Sequence, residues 1–145
     1  MNIKLSKVSL KDAKFIHRIG NEKGNRKNFI LWKNIKFLDH LKWFKKKIKD
    51  KNTYFFKIVF KKKLDCGYVR FDKKNKDYFV SICVGKKFRN KNIASDALLI
   101  AETRIPNAVS LVALIKKNNS SSKMLLLKVG YYLEKKNKNI LIMKK

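Results

Sequence analysis

Apolar positions along this chain follow two spacings, and the switches between them mark out the elements. Residues 3–9 alternate weakly and suit a first strand. Residues 11–19 place Ala13, Ile16 and Ile19 on one face, a short helix with Ser9 as its cap. Residues 20–34 hold Gly20, Gly24 and several asparagines, and read as an irregular, exposed connection. The clearest helix spans residues 36–50, where Phe37, Leu41, Phe44 and Ile48 form one narrow stripe. His40 falls about 60° off that stripe and Trp43 about 120° off. The helix's own burial therefore leaves Trp43 unexplained. Either it covers a neighbouring loop, or His40 and Trp43, three residues apart on one flank, line a pocket.

Three β-branched and aromatic runs follow at residues 53–60, 67–71 and 78–84, separated by polar turns, which is the pattern of an antiparallel meander. Residues 93–105 are helical, with Ala94, Ala97, Leu98, Ala101 and Ile105 on one side, and Pro106 ends them. Residues 109–115 are almost unbroken apolar, as in a strand covered on both faces. Asn118 and Asn119 cap a helix to about Val129, closed by Gly130. A hairpin, 131–133 with 140–143, completes the order β-α-α-β-β-β-α-β-α-β-β. With no repeat and no linker, residues 1–145 form one α+β domain around one mixed sheet.

Composition changes this picture in one respect, a net charge of +28 from 38 Lys and Arg against 10 Asp and Glu. Counterion release makes nucleic acid the obvious partner for such a chain. The distribution argues otherwise. Lysines are scattered over nearly every segment and far outnumber the arginines that read base edges. The charge still concentrates any polyanionic small ligand near the surface. No apolar run approaches the roughly 18 residues of a membrane span. Cys66 and Cys83, far apart and in strand-like runs, make no metal framework; reduced thiols in a cytoplasmic protein are the expectation.

Chemistry is concentrated where a strand delivers a polar turn, Arg89-Asn90-Lys91-Asn92, into a helix amino terminus at Ile93-Ala94-Ser95. First-turn N–H groups have no intrahelical partners, and the helix dipole favours an anion there. Residues 89–94 align with the Gln/Arg-x-x-Gly-x-Gly/Ala signature, with Asn92 in place of its first glycine, and Asn119-Ser120-Ser121-Ser122 with Gly130-Tyr131 follows a later Asn-x-x-Ser…Gly-Phe pattern. In both motifs and in element order the chain resembles the GNAT superfamily of N-acetyltransferases.

The resemblance implies a mostly antiparallel GNAT-like sheet flanked by helices, and direct acetyl transfer from acetyl-CoA to an amine. Backbone at residues 89–95 would hold the pyrophosphate. Ile82, Cys83 and Val84 would splay from the next strand to pair with the pantetheine arm, and Asn119 would contact the cofactor. Arg26-Lys27-Asn28, His40-Leu41-Lys42-Trp43-Phe44 and the run Cys66-Gly67-Tyr68-Val69-Arg70-Phe71 look like a branch that acetylates nucleotide-linked amino sugars. That branch would put Arg26, His40, Trp43 and Arg70 on the substrate side, with an anionic nucleotide sugar as the small-molecule partner; a homodimer is left open. Three departures stand out: Asn92 replaces the signature glycine, Leu126 occupies the usual place of a proton-donating tyrosine, and Phe79 replaces a strand carboxylate, Asp77 falling earlier in the turn. His40 is then the candidate base.

Overall fold

The computed structural model describes residues 2–26, 28, 34–106 and 110–145. Seven strands form one sheet in the order β1-β2-β3-β4-β5-β7-β6: β1 Ile3–Lys7, β2 Thr53–Phe60, β3 Leu64–Lys74, β4 Asp77–Val84, β5 Ser110–Lys116, β6 Tyr132–Lys136 and β7 Ile140–Lys144. All neighbours run antiparallel except β4 and β5. The helices are α1 Ala13–Asn21, α2 Lys23–Arg26, α3 Phe37–Lys47, α4 Ile93–Glu102 and α5 Ser120–Lys128.

Side chains alternate across the pleat, so each strand feeds two cores. On one face, α1 and α3 bury Ala13, Ile16, Ile19 and Phe44 against Phe55, Tyr68 and Cys83. On the other, α4 and α5 bury Ile93, Ala97, Leu98 and Leu126 against Ile58, Val69, Phe71 and Met143. The stripe read on the second long helix does face the core, with Phe44 fully enclosed.

The connection expected to be irregular is partly ordered. α1 runs on through Gly20 to Asn21, and the four residues of α2 follow. Asn21 makes this possible by clamping the next segment: its Nδ2 donates to the Ile35 carbonyl at 2.9 Å and its Oδ1 accepts from the Ile35 N–H at 3.3 Å. The polar turns of the meander are also shorter than read. Lys61 and Lys62 both take positive φ, 51° and 64°, which closes a tight β2–β3 hairpin and extends β3 to eleven residues. Asp77, expected in a turn, instead opens β4, paired with Lys74 and Ser110. β5 is covered on both faces only in its first half: Val112 and Ala113 are buried, whereas Leu114 is exposed. Residue 109, read as the strand's first, lies outside the described residues.

Candidate functional site

Among the described residues, β4 and β5 pair in parallel at Asp77↔Ser110, Tyr78↔Leu111 and Phe79↔Val112, and the ladder does not continue past Phe79 and Val112. Beyond it the strands diverge, β5 pairing with β7 and β4 with β3 alone. The Gly85 N–H donates to the Cys66 carbonyl at 2.8 Å, which makes Val84↔Gly67 a non-hydrogen-bonded pair. By alternation the backbone groups of Val80, Ile82 and Val84 turn from β3 towards the gap. Gly67 permits the closeness of this pair; a Cβ there would lie 2.2 Å from the Cys83 carbonyl oxygen.

Past Val84 the chain makes a short 3-10 turn, Lys86–Phe88, and enters α4. Asn90 and Asn92 both adopt φ 60°, the left-handed conformation that asparagine tolerates better than most residues. Asn92 thus takes a left-handed backbone conformation of the kind that favours glycine. Its carbonyl accepts from the Asp96 N–H at 3.0 Å and from Ser95 Oγ at 2.9 Å, so the helix starts cleanly. The N–H groups of Ile93, Ala94 and Ser95 face outward from that start, with Asp96 as the one acidic residue in the first turn.

Arg89 does not add its charge beside those donors. Its Nη2 donates to Asn25 Oδ1 at 2.7 Å and its Nε to the Val84 carbonyl at 3.4 Å. Gly24 leaves room for it, since a Cβ there would sit 2.7 Å from Arg89 Nη1. The guanidinium is a tie between α2 and the end of β4. Asn119 Oδ1 accepts from the Ser122 N–H and from Ser121 Oγ, both at 3.2 Å, so this buried side chain caps α5. Cys83 turns its thiol under α1, 3.8 Å from the Ile19 carbonyl, and by the same alternation its N–H and carbonyl face Tyr68 on β3, so of the three residues expected at the cofactor only Ile82 and Val84 turn backbone groups to the gap.

Beside the end of β4 lies a cleft of about 690 Å³, walled by α1 and α2 on one side and residues 85–89 on the other. Arg18, Lys23, Lys86, Lys87 and Arg89 line it, against Glu22 and Asp65. Both carboxylates are engaged: Glu22 accepts from the Lys86 N–H at 2.9 Å and Asp65 from Lys57 Nζ at 3.1 Å. The sequence reading missed these cations, because nothing sets them apart from the other lysines; their one signal is adjacency to the Arg89 turn.

The residues expected on the substrate side come together elsewhere. His40 is 7% exposed, with Nε2 3.1 Å from the Ala13 carbonyl and its ring against Phe44 and Trp43. A carbonyl only accepts, so Nε2 carries the proton and the imidazole joins α3 to α1. This corrects the expectation of an accessible base on that nitrogen. Trp43 and Arg70 stack on one another, and neither lines the cleft. Arg26 ends α2, and its side chain lies outside the described residues. Leu126 is buried in the core, where it offers no proton, and Phe79 lies under Lys74.

Backbone groups turned from β3 and the N–H groups that open α4 are the donors and acceptors that an elongated ligand with amides and a diphosphate would need. Residues 2–132 match the sequence model of the acetyltransferase (GNAT) domain. No curated protein matches the chain in sequence. Among solved structures, a domain from Methanocaldococcus jannaschii superposes with a TM-score of 0.87 at 20% identity, covering 99% of this chain and 97% of its own. Spermidine N-acetyltransferase from Vibrio cholerae, in complex with CoA and spermine, does so at 0.84 and 17%, covering 99% and 95%. RimL, a ribosomal L7/L12 alpha-N-protein acetyltransferase, does so at 0.81 and 13%, covering 100% and 90%.

Proposed function

Given that the chain belongs to the GNAT acetyltransferase family, and is an acyltransferase with acetyl-CoA as donor, we propose that its acceptor is an amine carried on an anionic molecule, a nucleotide-linked amino sugar being the leading case. The observation that carries this reading is the cleft at the end of β4, where five cationic side chains face two carboxylates already in use. A polyamine would enter it against like charge, since five cations outnumber the two carboxylates. A phosphate-bearing acceptor would find Arg18 and Lys23 on one wall and Lys86 and Lys87 on the other.

Bound acetyl-CoA would supply an acetyl thioester, whose carbonyl is the electrophile. The chain's part is to hold and polarise. The N–H groups of Ile93, Ala94 and Ser95 would hold the diphosphate, and the outward backbone groups of Val80 and Ile82 the pantetheine amides. A strand N–H in that notch is a preorganised donor to the carbonyl oxygen, a contribution of about 3–4 kcal/mol in enzymes where one such donor was removed. Leu126, buried on α5 and without an ionisable proton, cannot protonate the leaving group. A thiol of ordinary pKa near 8.5 leaves tolerably as the thiolate at neutral pH. The amine's proton then passes to water.

The test is acetyl transfer to a panel: a nucleoside-diphosphate amino sugar, spermine and a basic peptide, followed by product mass. The sugar nucleotide is expected to turn over, faster at low ionic strength. Joint replacement of Lys23 and Lys86 by alanine should raise its KM and leave that of acetyl-CoA alone. Preferred acetylation of spermine, or an acceptor KM indifferent to both lysines, would refute the anionic acceptor.

A further inference from the structure

Asn92 sits at the position where the signature has glycine, and its backbone is fixed: φ 60° and ψ 8°, with the carbonyl held by Asp96 and Ser95. Only the side chain is at liberty. A carboxamide there competes for the donors that open α4, because asparagine side chains readily accept from nearby backbone N–H groups. In this structure it does not. Lys128, the last residue of α5, donates from Nζ to Asn92 Oδ1 at 2.7 Å, across 36 residues of sequence. Both partners are exposed, and among the described residues Lys128 forms no ion pair. An exposed hydrogen bond of this kind adds little to folding stability. Its consequence is local: the carboxamide is drawn to α5 and away from the helix start.

We propose that Lys128 is a positioning residue for the diphosphate of coenzyme A, acting through Asn92 to keep the α4 donors clear in a turn that has lost its glycine. The proposal rests on the reading that this turn takes the diphosphate. It also accounts for how one chain can carry asparagine at that position and keep the geometry.

The experiment compares wild type with K128M, K128R, N92G and the N92G/K128M double variant. Coenzyme A and pantetheine binding are measured by calorimetry, which needs no acceptor, and acetyl-CoA and acetyl-pantetheine are compared as donors. K128M should weaken coenzyme A binding and raise the acetyl-CoA KM by about tenfold, the scale of one lost charge-assisted contact. The kcat and the acetyl-pantetheine KM should not move, K128R should behave like wild type, and K128M should be nearly silent on the N92G background. Wild-type affinity in K128M, an undiminished loss on the N92G background, or an equal loss with acetyl-pantetheine would each overturn the proposal. Should wild type bind coenzyme A no better than pantetheine, the diphosphate reading beneath it fails as well, so the two failures are told apart.

Discussion

The guanidinium carbon of Arg70 lies 4.9 Å from the centre of the Trp43 ring, and the same group is held by Asp72, whose Oδ2 accepts from Nε at 2.7 Å. Phe55 lies 5.5 Å beneath the same cation. This explains a tryptophan set well off the apolar stripe of α3: its partner is a cation on β3. We expect W43A and R70M each to destabilise the fold, with a coupling of about 0.5–1 kcal/mol in a double-mutant cycle read by urea unfolding. Both KM values should stay close to wild type. A rise confined to the acceptor KM in W43A would return this flank to the substrate.

His40 is expected to matter for folding and not for proton transfer. H40Q should lose about 1–3 kcal/mol, because the Ala13 carbonyl loses a well-placed donor in a buried site. Its kcat/KM profile across roughly pH 5 to 8 should match wild type. An acidic limb present in wild type and missing in the variant would restore His40 to the chemistry.

Gly67 is a steric keystone of the β3–β4 pair. An added methyl would meet main-chain atoms, the Cys83 carbonyl at 2.2 Å and Val84 Cα at 3.0 Å, and neither can swing aside as a side chain would. G67A should cost about 1–3 kcal/mol or more. It should also lower activity beyond that loss, because Val84 borders the gap. Urea unfolding with an activity assay decides it; full activity in G67A would mean that the strand end can shift freely.

Acid should loosen the sheet through Asp72. Burial alone would raise its carboxyl, but Arg70 and Lys47, the latter at 2.7 Å, outweigh burial and hold it below the usual carboxylate range. A carboxyl depressed in the folded state contributes stability above its unfolded pKa of about 3.9, and that contribution fades as pH falls below it. D72N should therefore be less stable near neutrality and show a flatter decline between about pH 4 and 2. Parallel acid-unfolding curves for the two proteins would exclude this role.

Much of the fold is legible because burial is periodic. The α4 face, the Asn119 cap and the positive φ of Gly130 follow from residue type and order, whereas the parting of β4 from β5 is expected only from the family resemblance. What is not legible depends on partners remote in sequence. Arg89 reads as a free cation and is tied down 64 residues away by Asn25. His40 reads as a candidate base on a pocket-lining flank because periodicity gives an angle but not the Ala13 carbonyl that meets it. The cationic cleft is invisible in a chain with 38 Lys and Arg, since clustering in space leaves no trace in such a background.

Among the described residues, three rungs join β4 to β5 across the middle of the sheet. The domain is two plates, β1 to β4 and β5 to β7, clamped from below by α4, whose Ala97, Leu98 and Ala101 are packed into the core that both plates share. Parting the plates sacrifices few main-chain bonds, so a guest in the notch is gripped from either side and in return acts as mortar. Amide exchange at Ile82 and along the first half of β5 should slow when the notch is filled, and the molecule as a whole should stiffen along that one line.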